Sequence, residues 1–157
     1  MKKSILIGFV AIMAVVFSSC NNAPECKFHK DALNLRVMHE DWQFDDDTKQ
    51  FYFHFDVPEM TNYVYNVGNW SLSREFNEGT KDAYQVSLPT SEFAIDTLWN
   101  EEHDAYDLHY YSRYIDYRVG VDMVEVQVTY SDYYYPTDKY GDLMKPEDML
   151  FRLQLIY

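Results

Sequence analysis

The chain has 157 residues, with 13 Lys and Arg against 26 Asp and Glu, a formal net charge of −13. So acidic a chain lacks the basic face that phosphate contacts require, which argues against nucleic-acid binding. Apolar residues make up 47% and aromatic residues 18%, with 15 tyrosines, which is too apolar for a disordered chain, and the length suits one ordinary domain.

In chain order, Lys2 and Lys3 come first, followed by an uncharged run over residues 5–17 that ends in Ser18-Ser19-Cys20. As a helix at 1.5 Å per residue that run reaches only about 20 Å. A bilayer core is about 30 Å thick, so the run reads as the apolar part of an export signal and not as a span. Phe17-Ser18-Ser19-Cys20 resembles the bacterial lipoprotein signal, in which the cysteine thiol is lipidated and becomes the mature N-terminus. The resemblance implies a signal over residues 1–19 and a membrane anchor through lipid on Cys20; ordinary secretory cleavage near this point is the alternative. Asn21 follows where an inner-membrane retention signal would have Asp. With Cys20 lipidated, Cys26 has no intramolecular partner and is a free thiol or one half of an intermolecular disulfide.

Residues 20–33 are small and polar and read as a tether, which leaves 34–157 as one domain. There the apolar period is mostly two. Phe51, Phe53 and Phe55 share one face, with Tyr52 and His54 on the other. Met123-Val124-Glu125-Val126-Gln127-Val128-Thr129-Tyr130 alternates more cleanly, and residues 150–157 alternate again. These are half-buried strands by pattern and by β-branched and aromatic content. Further strands are predicted over 35–44, 70–76, 84–88, 108–111 and 114–119. Asp45-Asp46-Asp47-Thr48-Lys49 should close a hairpin, and so should residues 77–82, where Gly79 is free to take positive φ. Pro58 holds Val57 extended, Thr61 can cap a short helix over 62–66, and Gly68 can stop it. About eight short strands and one short helix predict an all-β antiparallel sandwich, immunoglobulin-like or jelly-roll-like.

Several of these pieces also occur in a familiar order. Asp41-Trp42, then Val57-Pro58-Glu59-Met60-Thr61, then Asn66-Val67-Gly68, Leu88-Pro89 and a closing strand with Phe151-Arg152 resemble small exported lipoproteins of Bacteroides-type bacteria. Ser71, Ser73 and Arg74 depart from the more aliphatic strand that the pattern has after its glycine. The resemblance implies an all-β domain, exported and held by lipid at the outer membrane. It implies no established activity and carries over no catalytic residue.

Candidate chemistry is sparse. Residues 101–109 hold the densest ionisable cluster. His103, Asp107 and His109 share one face if the segment is a strand, which makes a candidate metal set, although zinc signatures are spaced more tightly. Asp45-Asp46-Asp47, with Asp41 upstream, lacks the glycine of a calcium loop and reads as an acidic turn. No Gly-x-Ser-x-Gly, His-Glu-x-x-His or glycine-rich phosphate loop occurs, so the expectation is a protein without catalysis or cofactor. The rival expectation is a hydrolase of surface glycans using carboxylates over 101–107.

The tyrosines point elsewhere. Tyr133, Tyr134, Tyr135 and Tyr140 fall in the one long irregular stretch, 131–142. Tyrosine has a flat apolar body and a polar tip, suited to sugar rings and to protein surfaces. These four are therefore the candidate ligand site of a binding or structural module, whose partner would be a glycan or another envelope protein. The competing reading, for these and the other tyrosines alike, is core margin with the hydroxyl reaching water. Asp96-Thr97-Leu98 resembles the O-glycosylation acceptor of exported Bacteroides-type proteins, which makes Thr97 a candidate modification site.

Overall fold

The computed structural model describes residues 29–100, 104–131, 137 and 143–157, with residues 98–100 and 105–107 described by their backbone alone. The strands are β1 (Lys30–Val37), β2 (Gln43–Asp45), β3 (Gln50–Asp56), β4 (Asn69–Phe76), β5 (Tyr84–Ser87), β6 (Thr90–Asn100), β7 (Ala105–Gly120), β8 (Met123–Tyr130) and β9 (Met149–Ile156). One helix, α1 (Asn62–Val67), lies between β3 and β4. One sheet has the order β1-β9-β4-β5 and the other β2-β3-β8-β7-β6; all pairings are antiparallel. The fold is an all-β sandwich.

Alternation builds the core. Val124, Val126, Val128 and Tyr130 of β8 point inward with Phe51 and Phe55 of β3, and Phe151, Leu153 and Leu155 of β9 meet them from the opposite sheet. Phe55 and Phe151 meet edge to face at 6.4 Å across the layers. Each large side chain so buried contributes roughly 2 kcal/mol. Trp42 fills one end, with its indole N–H donating to the Glu147 carbonyl at 3.2 Å.

The Val57–Thr61 stretch explains itself physically. Val57 and Met60 are buried, and their backbone bonds to Asp122 in the turn between β7 and β8. Thr61 then caps α1 through its hydroxyl, which accepts from the Val64 N–H at 3.2 Å. Gly68 ends the helix with a backbone φ of −74°, not by a left-handed turn. Its glycine is required by space: a Cβ would stand 2.7 Å from the Val64 carbonyl oxygen and 3.1 Å from that of Ile156. Gly79 does take positive φ, +73°, in the β4–β5 turn.

Four boundaries differ from the sequence reading. β1 begins at Lys30, within the predicted tether, because the register with β9 runs from Lys30↔Ile156 to Val37↔Met149 and recruits polar residues to a ladder. The predicted strand 35–44 is split by a 3-10 turn, His39–Asp41, into β1 and β2. The strands predicted at 108–111 and 114–119 are one, β7, of 16 residues. β6 was not predicted. It alternates, but its large apolar residues Phe93 and Ile95 face solvent while Glu92 and Asp96 lie on the inner row, so it lacks an inward apolar signature.

The two ends of the sandwich are distinct. His29 packs on Tyr157 at 5.1 Å, and Trp70, beside them in the register, meets Tyr117 at 6.1 Å, near the β7–β8 turn. The opposite end is marked by the β6–β7 hairpin. β8 ends at Tyr130, opposite Arg113, so among the described residues 105–112 of β7 pair only with β6. Those eight residues make a two-stranded arm about 26 Å long, directed away from the end where the chain enters at His29.

Candidate functional site

The arm has two unlike faces. Its inner face meets the segment before β9. Arg74 of β4 is only 6% exposed, and a buried guanidinium has to be paired. It donates to Glu92 of β6, and to Glu147 at 2.7 Å. Arg113 of β7 donates to the same two carboxylates, to Glu92 through Nε at 3.1 Å and to Glu147 Oε1 at 2.8 Å. Four alternating charges thus join both sheets and the segment that precedes β9. The Arg74 guanidinium also lies 4.4 Å from the Phe76 ring.

This network shifts its members' proton affinities. Burial pushes the Glu147 carboxyl up, but hydrogen bonds and charge from Arg113 outweigh it and hold the group at about 2. Burial pulls the Arg113 guanidinium down, and its bonds to Glu147 and Glu92 outweigh that and raise it. Burial pushes Tyr130 up to about 12 and also raises Tyr111. Beside them opens a cleft of about 160 Å³, lined by Asp96, Tyr111, Arg113, Tyr130, Lys145 and Glu147 among others. Arg113 and Arg74 thus hold Glu147 in this cleft as a carboxylate.

The outer face is the reverse. Phe93 is 70% exposed, and Ile95, Leu108, Tyr110 and Tyr114 are exposed beside it. The register sets Ile95 opposite Tyr110 and Thr97 opposite Leu108, and Phe93 stacks on Tyr110 along the diagonal at 5.8 Å. By alternation the outward rows here are Ser91, Phe93, Ile95 and Thr97 on β6 and Leu108, Tyr110, Ser112 and Tyr114 on β7, with no charged side chain. The hydroxyls of Ser91, Thr97 and Ser112 lie on the same outward rows.

The residues singled out from sequence are placed unevenly. Cys20, Cys26, His103, Tyr133, Tyr134, Tyr135 and Tyr140 lie outside the described residues, as do Glu101 and Glu102, and Asp107 is placed by its backbone alone. His109 is half-buried on the inner row of β7, opposite Asp96, with its ring on Tyr111 at 6.2 Å. Among the described residues no cluster of three or more His, Cys, Asp or Glu side chains could hold a metal ion. Asp45 closes its hairpin, accepting from the backbone of Asp47 at 2.9 Å, and Asp46 pairs with Lys49 at 3.1 Å. Thr97 is exposed on β6, and the Asp96 carboxylate accepts its backbone N–H at 2.7 Å.

The Arg74–Glu92–Arg113–Glu147 network and the Phe93–Tyr110 face have no counterpart among the expectations from sequence. A signal for the first existed: Arg74 shares the inward parity of Leu72, which is buried. Its partners lie 18 and 73 residues away, and no local pattern selects two acids from 26. No family model matches the chain, and neither a curated protein nor a solved structure matches it.

Proposed function

We propose that this chain is an exported, lipid-anchored, non-catalytic interaction module of the bacterial outer membrane, similar in kind to the small Bacteroides-type lipoproteins its motifs resemble. The observation that carries the reading is the charge-free apolar face of the β6–β7 arm, on an otherwise strongly acidic chain. A soluble domain gains nothing from exposing Phe93, Ile95, Leu108 and Tyr110 together unless something covers them. The export-signal pattern before Cys20 supports the anchor, and the polar residues after it support a tether. The arm leaves the sandwich at the end opposite His29, so a chain held by Cys20 presents the arm away from its anchor.

The test is capture of envelope glycans and envelope proteins by the whole mature chain. It is run beside Phe93→Ala/Tyr110→Ala and beside Tyr133→Ala/Tyr134→Ala/Tyr135→Ala. Loss of a specific partner in the first variant, with its fold intact, places binding on the arm; loss in the second alone places it on Tyr133, Tyr134 and Tyr135. Turnover of a surface polysaccharide by the wild-type chain would replace this reading with the hydrolase.

A further inference from the structure

The outer face of the arm specifies a kind of occupant. We infer that it is covered by a second copy of this chain, packed face to face about a two-fold running along the strands. This deepens the interaction-module reading and rests on it.

Three observations select this partner. The first is area. Phe93, Ile95, Leu108, Tyr110 and Tyr114 are between 47% and 70% exposed. At about 100 Å² each they offer roughly 500 Å² per copy, so a pair buries roughly 1,000 Å², the threshold of a specific interface and in the range of reversible ones. A second copy presents a face of the same extent and equally apolar.

The second is charge. The full sequence carries a formal −13, and the mature chain is more negative still because Lys2 and Lys3 leave with the signal, so most surfaces of two copies repel. The outward rows from Ser91 to Thr97 and from Leu108 to Tyr114 hold no charged side chain, and the next outward residue, exposed Asp116, lies at the edge of the face, so the centre of this contact sets no like charges against each other. Asp96 and Glu92 lie on the opposite, inner row, and Glu92 is bound by Arg74 and Arg113.

The third is direction. A two-fold along the strands leaves both His29 ends on the same side of the pair, and both arms on the other. Two chains anchored in one membrane can therefore pair this way. Antiparallel addition of one β6 edge to another would invert one chain relative to the membrane, which two anchors in one leaflet oppose.

The experiment is sedimentation of the whole mature chain over a micromolar concentration series, with Cys20→Ser removing lipid as a cause of association. The expected result is a mass that doubles with concentration, and a dimer that tightens as salt screens the two acidic bodies. Phe93→Lys/Tyr110→Lys should remain monomeric with an unchanged far-ultraviolet spectrum. Phe93→Ser/Tyr110→Ser, which adds no charge, should weaken the dimer in the same direction. A wild-type chain monomeric throughout the series overturns self-association, while the capture experiment above still judges the interaction module separately. A dimer that persists in both folded variants overturns it too, because the contact then lies elsewhere. So does a glycan or foreign protein bound by the monomer on Phe93 and Tyr110.

Discussion

Arg74 is 6% exposed, and everything around it follows from that fact. Removing it leaves Glu92 and Glu147 to Arg113 alone, so Arg74→Met should cost about 2–3 kcal/mol, read as a lower denaturant midpoint. Arg74→Met combined with Glu92→Gln should cost less than the two single changes added, because the second removes a charge the first leaves under-compensated. Glu147 sets a pH window. Its folded-state value, about 2, lies below its ordinary 4.5, so its contribution is complete above pH 4.5 and fades as pH falls toward 2. Glu147→Gln should flatten stability across that window, measured by unfolding at a series of acid pH values. Tyr130 works in the opposite sense: raised from 10 to about 12, it contributes below pH 10 and loses that contribution as pH climbs toward 12. Ultraviolet titration of the tyrosines should show a late-ionising component that Tyr130→Phe removes.

The arm and the small helix show what an element takes from its own sequence and what it takes from neighbours. α1 has six residues, too few to hold a helix in water. It persists because Thr61 caps it, Val64 buries its one inward side, and Gly68 lets the chain pass close to Ile156. Thr61→Ala should therefore cost about 1 kcal/mol, measured by thermal or urea unfolding. All three of these residues were legible beforehand, since caps and stops act over three or four positions. β6 is the contrary case. Its apolar residues face outward, so the inward-burial logic that identifies strands passes over it, and its register is set by eleven pairs with β7. β7 likewise reads as two fragments in sequence, because Ser112 and Arg113 interrupt its apolar pattern; they lie where β8 ends and the arm begins. Thr97 lies beside Leu108 on the same outward face, so a sugar attached there would keep a second copy off it; intact mass of the native chain decides between the two.

For the whole molecule, Cys20→Ala should release the chain from the membrane fraction, judged by partition between detergent and water. That experiment tests the anchor independently of the fold. The all-β class, the hairpin turns at 45–49 and 77–82, the helix cap and the alternating core strands are legible residue by residue, because alternation and turn chemistry are written within a few positions. The rest depends on how distant strands meet. Glu92 and Glu147 became one site because β6 and the segment before β9 converge on Arg74 and Arg113. Phe93 and Tyr110 became a surface because β7 outruns β8, leaving an arm whose outer face no described strand covers. Contacts of that range depend on register between strands far apart in the chain, and a local pattern of residues holds no record of it.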